Sequence, residues 1–262
     1  MSAQRASAVP VLEVEQLSKS FGGVQAVKEV TFALDAGELL ALIGPNGAGK
    51  TTCFNMLNGQ LRADSGSVRL NGRQLLGLPP RRIWRLGVGR TFQITATFAS
   101  MTVRENIQMA LLSHHHRHTG MWRPATGQFI DEAEALLARV GMQGQSERAC
   151  GVLAYGDIKR VELAVALANE PTLLLMDEPT AGMAPKERIG LRALTADSVR
   201  ERNISVLFTE HDMDVVFAHA NRIMVLDRGR LIVDASPEEV RSNKQVQEIY
   251  LGSGAVHGVD VG

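Results

Sequence analysis

Residues 44–52 read Gly44-Pro45-Asn46-Gly47-Ala48-Gly49-Lys50-Thr51-Thr52, which fits the pattern G-x-x-x-x-G-K-[ST]. The strand-like segment 38–43, which carries no charge after Glu38, precedes this loop, and a helix-like run that ends at Gly59 follows it. The loop therefore has the strand and helix context that the pattern requires. Its glycines allow successive backbone N–H groups to converge on phosphate oxygens, and the helix N-terminus adds its positive dipole end. The stretch predicts a site for a nucleoside triphosphate.

Individual residues of this phosphate loop have separate predicted roles. Lys50 reaches the outer phosphates, and the Thr51 hydroxyl ligates Mg²⁺. Cys53 follows the loop directly, and its thiol either packs within the first helix, the reading that we favour, or makes the site sensitive to thiol reagents. The predicted nucleotide contacts within the loop are Asn46, Gly47, Ala48, Gly49, Lys50, Thr51 and Thr52.

Composition limits the class of protein. The chain has 262 residues, of which 45% are hydrophobic, so it can form one substantial core with room for a subdomain. Its 28 basic and 28 acidic residues leave no net basic field, which argues against nucleic acid as a partner. Two cysteines form no disulfide framework and favour a reducing compartment. Without an evident signal peptide or an apolar run of about 18 residues, we expect a cytoplasmic chain.

Short apolar segments alternate along the chain with segments of helical periodicity. The predicted strands include residues 11–14, 30–34, 67–70, 173–176, 204–209 and 222–226, and Asn71-Gly72 predicts a tight hairpin turn. The predicted helices include residues 101–112, 130–140, 158–169 and a helix that begins at Pro185 and carries Ile189, Ala193, Ala196 and Val199. Such alternation is typical of a parallel α/β core. Residues 94–168 look like a helical insertion into that core.

Two acidic residues follow the apolar run 173–176. In an open α/β sheet, ligands lie beyond the C-terminal ends of the strands, so Asp177 and Glu178 are expected to face the phosphates. Asp177 is suited to holding Mg²⁺ through water, and Glu178 to accepting a proton from the attacking water.

Two further polar segments lie at ends of predicted elements. His211 follows the apolar strand 204–209, and this position favours a contact with the γ-phosphate. The segment Leu153-Ala154-Tyr155-Gly156-Asp157 opens the predicted helix at 158, where a small residue and a glycine leave the helix dipole accessible to an anion.

Together these motifs resemble the ATP-binding subunits of ABC transporters over residues 11–251. The phosphate loop of that family matches residues 44–52, its acidic strand residues 173–178, its signature sequence residues 153–157 and its switch histidine His211. The resemblance also implies that Gln93 is the glutamine that couples Mg²⁺ and water to the membrane subunit. It further implies that Phe21 stacks on adenine.

The resemblance implies a P-loop NTPase fold with a RecA-like α/β core, an N-terminal antiparallel β subdomain and an inserted helical subdomain. The expected single ATPase domain is 11–252, with core segments 11–93 and 169–230, the helical subdomain 94–168, a C-terminal strand and helix over 231–252, and tails 1–10 and 253–262. The cofactors would be ATP and Mg²⁺. The implied catalytic residues are Lys50, Gln93, Glu178 and His211, and the implied magnesium ligands are Thr51, Gln93 and Asp177.

In this family two chains close head to tail around two ATP molecules, so Ala154, Tyr155, Gly156 and Asp157 would act on the nucleotide of a partner chain. The general signature reads Leu-Ser-Gly-Gly-Gln, so Ala154 lacks the hydroxyl that contacts the partner's γ-phosphate. Ala184 stands where the family commonly has an aspartate. Both departures affect what the chain offers its partner, and we therefore expect a heterodimer with unequal sites.

Other segments resemble the branched-chain amino acid uptake group, above all the first of its two ATPase chains. These segments are Gly89-Arg90-Thr91-Phe92-Gln93, residues 98–106 and residues 248–252. This implies a chain on the inner face of the cell membrane, with permease subunits, a second ATPase chain and, indirectly, a periplasmic solute-binding protein as partners. Importers of urea, amides or aromatic acids share much of this pattern. An exporter, or a non-transport ABC ATPase acting on nucleic acid or ribosomes, remains an alternative.

The histidine-rich segment 114–118 offers a weaker signal. Adjacent histidines in a polar connector rarely form a closed metal site, and no cysteine or carboxylate pattern accompanies them. We therefore expect the connector 113–120 to be structural.

Overall fold

The computed structural model describes residues 10–91, 97–115 and 127–252. Gln93, part of the histidine-rich segment and most of both predicted tails lie outside these residues. The chain divides into two compact units, Met1–Pro80 with Ser205–Gly262 and Arg81–Ile204. The predicted helical insertion, residues 94–168, falls within the second unit.

The elements follow one another as strand and helix, as the sequence predicts. The first unit contains β1 (Leu12–Phe21), β2 (Val24–Leu34), β3 (Leu39–Ile43), α1 (Lys50–Leu57), β4 (Ser65–Leu70) and β5 (Arg73–Gln74). Next come α2 (Pro80–Arg85), β6 (Val88–Thr91), α3 (Val103–His114), α4 (Ile130–Arg139), α5 (Tyr155–Leu167), β7 (Leu173–Asp177) and α6 (Pro185–Arg202). The chain then returns to the first unit with β8 (Ser205–Thr209), α7 (Met213–His219), β9 (Arg222–Asp227), β10 (Arg230–Ala235), α8 (Pro237–Ser242) and α9 (Lys244–Gly252).

An antiparallel sheet forms the N-terminal part of the first unit, with strand order β2-β1-β4-β5. The predicted hairpin turn is confirmed, because Asn71 and Gly72 both have positive φ, 48° and 76°, between β4 and β5. Two successive positive φ values match the twist of the flanking strands.

Parallel strands form the core of the first unit. Strand β3 lies between β9 and β8 and is parallel to both, whereas β10 runs antiparallel to β9. Leu40–Ile43 and all of β8 are buried. Strands covered on both faces need apolar side chains on both faces, and this explains the hydrophobic runs 40–43 and 206–208.

The second unit combines helices with the parallel pair β6 and β7. Helix α3 begins with a capping box in which Thr102 Oγ1 accepts from the Glu105 backbone N–H and the Glu105 carboxylate accepts from the Thr102 N–H. It continues to His114, so the connector predicted from residue 113 begins later than expected.

Helix α6 begins at Pro185 as predicted, and Val199 is buried as its apolar pattern indicates, but the rest of the buried face differs from the apolar residues chosen from the sequence. Leu191, Thr195 and Val199 are buried, whereas Ile189 is 65% exposed. The Thr195 hydroxyl donates to the Leu191 carbonyl, which allows a polar residue to occupy this face. Among the described residues, no helix is long and apolar enough to cross a bilayer.

Candidate nucleotide-binding site

The phosphate loop joins β3 to α1 and depends on its glycines. Gly44 and Gly49 have φ values of 151° and 106°. A Cβ on Gly44 would lie 2.1 Å from the Leu226 carbonyl oxygen, and one on Gly49 would lie 2.3 Å from the Ala26 carbonyl oxygen. No side chain fits at either position, so the glycines are required for the loop to lie against β2 and β9.

Lys50 begins helix α1 and is 8% exposed. Its Nζ donates to the carbonyl oxygens of Gly44 at 2.7 Å and Pro45 at 3.1 Å. The ammonium group is therefore held against the start of the loop. Thr51 is exposed and Thr52 is half-buried on the same first turn, where the free N–H groups of a helix N-terminus favour an anion.

His211 and the phosphate loop lie at the same edge of the sheet in the first unit. Strands β3 and β8 are parallel neighbours, with Ala41 opposite Phe208. The loop begins directly after β3, and His211 lies two residues beyond β8, where it is exposed. The carboxyl ends of neighbouring parallel strands meet at a common edge, so the first unit brings together the predicted phosphate loop and switch histidine.

Phe21 ends β1, and 49% of its surface is exposed. Gly22 and Gly23 follow it with φ values of 51° and 87° and form the turn to β2. The Lys19 ammonium lies 5.5 Å from the centre of the Phe21 ring. An accessible aromatic ring of this kind is what stacking on a purine requires.

The predicted acidic pair lies at the C-terminal end of β7 in the second unit. Asp177 is the last residue of the strand and is 5% exposed, whereas Glu178 is half-buried. Glu178 has a φ of 48°, a left-handed conformation that is uncommon outside glycine. The chain therefore turns sharply at the predicted general base. The parallel neighbour β6 ends at Thr91, two residues before Gln93.

The signature segment begins α5 three residues earlier than the sequence predicts. Ala154 is the N-cap residue and makes no side-chain capping hydrogen bond, and the helix starts at Tyr155. A Cβ on Gly156 would lie 2.7 Å from a carboxylate oxygen of Glu187, whose Oε2 also accepts from the Ala184 N–H at 3.1 Å. Glu187 therefore lies beside the signature segment and caps α6 at Ala184, one of the positions where the sequence departs from the family pattern.

Sequence reasoning assigned no role to Arg90, Glu187 or Tyr250. Arg90 is a charged residue in the otherwise uncharged strand Val88–Thr91, a signal that could have identified it. The Tyr250 hydroxyl accepts a hydrogen bond from the backbone N–H of Gly44, and burial raises the pKa of this tyrosine above its usual range. No local pattern predicts the approach of Glu187 to Gly156 or the contact of Tyr250 with Gly44, because each joins segments that are distant in the sequence.

The chemistry of the donors fits magnesium. The Thr51 hydroxyl and the Asp177 carboxylate are oxygen ligands of the kind that Mg²⁺ prefers. In the described ranges, no cluster of three or more His, Cys, Asp or Glu side chains could hold a metal alone. Mg²⁺ usually binds through one or two protein oxygens together with substrate phosphates, so each of these side chains, taken within its own unit, has the chemistry of such a ligand. His115 Nε2 lies 3.0 Å from Glu132 Oε2, and His116–His118 lie outside the described part of the chain.

Cys53 is predicted to resist thiol reagents in the folded protein. The residue is 0% exposed in α1, and burial raises the pKa of its thiol to about 12. The thiolate is the reactive form, and it gains population only as the pH approaches that value. We expect negligible labelling of Cys53 by iodoacetamide at pH 8 and full labelling after denaturation, measured by mass spectrometry. Rapid labelling of the native chain would contradict its burial.

Comparison with known proteins defines the family. A model described as "ABC transporter" matches residues 27–181, and one described as "Branched-chain amino acid ATP-binding cassette transporter" matches residues 230–256. A crystal structure of an ATP-binding cassette of an ABC transporter in its ADP conformation superposes with a TM-score of 0.83 at 29% identity, covering 94% of this chain and 100% of that one. A nucleotide-free cassette gives a TM-score of 0.81 at 28% identity, covering 92% and 99%.

The fold and the phosphate loop define a P-loop ATPase of the cassette type, and the predicted fold class is confirmed. The chain belongs to the ABC transporter family of ATP-binding proteins, in the group named for branched-chain amino acid transport. It is 40% identical to LivG of Salmonella typhimurium over 93% of this chain and 98% of that protein. It is 38% identical to BraF of Pseudomonas aeruginosa over the same shares. Both relatives are named as high-affinity branched-chain amino acid transport ATP-binding proteins.

Proposed function

We propose that this chain hydrolyses ATP to power the import of branched-chain amino acids through a membrane permease. The main support for this proposal is the 40% identity, over nearly the full length of both chains, to a relative named for high-affinity branched-chain amino acid transport. The resemblance of the phosphate loop, the acidic pair and His211 to the motifs of this family also supports the proposal.

The residues of the proposed site have distinct roles in binding and hydrolysing ATP. The Lys50 ammonium neutralises charge on the outer phosphates, and the backbone N–H groups of residues 46–52 bind them. Phe21 stacks on the adenine. His211 holds the γ-phosphate, and the Glu178 carboxylate orients the attacking water and accepts its proton. The protein thereby contributes positioning and charge neutralisation rather than covalent chemistry.

Thr51, Gln93 and Asp177 are the proposed ligands of the magnesium ion. When bound, Mg²⁺ would neutralise the charge that develops on the phosphates. Thr51, Gln93 and Asp177 would each offer an oxygen atom, and Gln93 would also link the site to the permease. Because these side chains would bind the magnesium ion that accompanies the nucleotide, we expect the chain to bind ATP more tightly in the presence of Mg²⁺ than in its absence.

The proposed partner is a second ATPase chain of different sequence. Ala154 to Asp157 would face the nucleotide of that partner, and the missing hydroxyl at Ala154 removes one hydrogen bond, which is worth about 0.5–1.5 kcal/mol. The chain's own hydrolytic residues are complete. The ATP held by its own phosphate loop is therefore the better hydrolysed of the two in our proposal.

The remaining proposed partners are the permease subunits and, indirectly, a periplasmic solute-binding protein. The ATPase pair would bind the permease at the inner face of the membrane and transmit closure through the segment beside Gln93. Co-purification tests this assembly. Recovery of a permease with a second ATPase chain supports the proposal, whereas recovery of ribosomes or DNA contradicts it.

Lys50→Ala is expected to weaken ATP binding about tenfold to a hundredfold, because one charge-assisted contact contributes about 1.5–3 kcal/mol. It is also expected to abolish ATP-dependent closure of the dimer. Titration with a fluorescent ATP analogue measures the first effect, and size-exclusion chromatography with light scattering measures the second. Lys244→Ala removes an exposed lysine on α9 and serves as the control. A normal ATPase rate for Lys50→Ala would overturn the site assignment.

A further inference from the structure

Arg90 places a buried positive charge beside the carboxylate at the end of β7. Its Nη2 lies 3.7 Å from Asp177 Oδ2, and the two side chains are 10% and 6% exposed. This distance is too long for a direct hydrogen bond but within the range of an ion pair. Because water screens buried charges poorly, the two groups interact more strongly than a surface pair would.

The register of the strands accounts for the contact. Arg90 lies opposite Leu175 in the parallel pair of β6 and β7. Side chains alternate along a strand, so Leu175 and Asp177 share one face of β7, and Arg90 occupies that same face of the sheet. Burial lowers the pKa of the Arg90 guanidinium, an effect that the charge of Asp177 opposes. The guanidinium stays protonated in proteins, so its positive charge is permanent.

We propose that Arg90 is a built-in counterion of Asp177 that neutralises this carboxylate when no Mg²⁺ is bound and competes with Mg²⁺ for it. This inference rests on the proposed function, in which Asp177 faces the magnesium ion of bound ATP. In the absence of metal, ATP brings negative phosphates toward a carboxylate, and Arg90 reduces the repulsion. In the presence of Mg²⁺, the metal performs that neutralisation, and the positive charge of Arg90 opposes its binding.

Loss of Arg90 should therefore make ATP binding more dependent on magnesium. Equilibrium titrations of the full-length chain with a fluorescent ATP analogue, in excess MgCl₂ and in excess EDTA, give two dissociation constants. For Arg90→Gln we expect the ratio of the EDTA value to the Mg²⁺ value to rise about tenfold, equivalent to about 1.4 kcal/mol of coupling. The Mg²⁺ concentration for half-maximal binding should fall.

Three further single variants and one double variant test the electrostatic explanation. Arg90→Lys keeps the charge and should keep the ratio near that of the wild type. Arg139→Gln removes an exposed arginine from the same unit and should leave both dissociation constants unchanged. Asp177→Asn removes the carboxylate and leaves the positive charge of Arg90 uncompensated, so it should strengthen ATP binding in EDTA. In the Asp177→Asn background, Arg90→Gln should remove that gain in EDTA, because the uncompensated positive charge is lost.

An unchanged ratio for a folded Arg90→Gln, or equal weakening in EDTA and Mg²⁺, would overturn the proposal and leave Arg90 with a structural role alone. Circular dichroism establishes folding. If Arg90→Gln does not fold, Asp177→Asn decides, since unchanged or weaker binding in EDTA would also overturn it. Failure of the wild-type chain to bind ATP in Mg²⁺ would instead refute the proposed function.

Discussion

Glu178→Gln is expected to slow ATP hydrolysis by about a hundredfold or more while leaving ATP binding intact, because glutamine keeps the shape of the side chain but cannot accept the proton of water. The backbone supports this role. Glu178 has a φ of 48°, and its carbonyl accepts from the Ala181 N–H at 3.1 Å. A non-glycine residue in this conformation costs about 1–3 kcal/mol and persists where the surrounding structure fixes it.

Steady-state ATPase rates of the assembled complex measure this effect, with Glu201→Gln on the exposed side of α6 as the matched control. A Glu178→Gln complex that hydrolyses ATP at the control rate would exclude Glu178 as the general base. The same change in the second ATPase chain should have the smaller effect. Equal losses from the two chains would contradict the proposed inequality of the sites.

Arg222→Met is expected to lower the free energy of unfolding by about 3–5 kcal/mol, because removing one partner of a buried ion pair leaves the other charge uncompensated. Arg222 begins β9 and is 7% exposed. Its Nε lies 2.7 Å from Glu38 Oε1, its Nη1 lies 2.7 Å from Asp234 Oδ1, and its Nη2 donates to the Ala33 carbonyl. The side chain therefore joins the segment before β3 to β10 and to the end of β2.

Urea denaturation measures the decrease in the free energy of unfolding, and two further variants serve as comparisons. Arg200→Met breaks an exposed pair with Asp197, so its effect should stay within about 1 kcal/mol. Adding Glu38→Gln to Arg222→Met removes one of the two uncompensated carboxylates, the more deeply buried one, and should restore part of the lost stability. Wild-type stability of Arg222→Met would show that this buried cluster does not hold the strands together.

Much of this architecture is predictable from local sequence patterns. The loop at 44–52, the buried run before Asp177 and the turn at Asn71-Gly72 each carry a signal within a few residues, and all three lie where the sequence predicts. Family resemblance supplied the roles of the more isolated residues. Phe21 could be assigned only in this way, because an aromatic residue alone has many uses, whereas the position of His211 after a strand also indicated a contact with the phosphates.

Contacts between distant segments were not predictable. Arg90 forms an ion pair with Asp177 because the register of β6 and β7 places Arg90 opposite Leu175. Glu187 fills the space beside Gly156 because α6 packs there. On α6 the apolar pattern was misleading, since the helix buries Thr195 and exposes Ile189. Tertiary packing decides such cases, and the periodicity of one segment does not contain that information.

Uptake of labelled leucine tests the central claim, that ATP hydrolysis by this chain drives the import of branched-chain amino acids. The permease, both ATPase chains and the solute receptor would be reconstituted in liposomes, with ATP supplied on the side of the ATPases. We predict ATP-dependent leucine uptake with the wild-type chain and its loss with Glu178→Gln. Uptake of urea or benzoate in place of leucine, or leucine uptake that survives Glu178→Gln, would contradict the account.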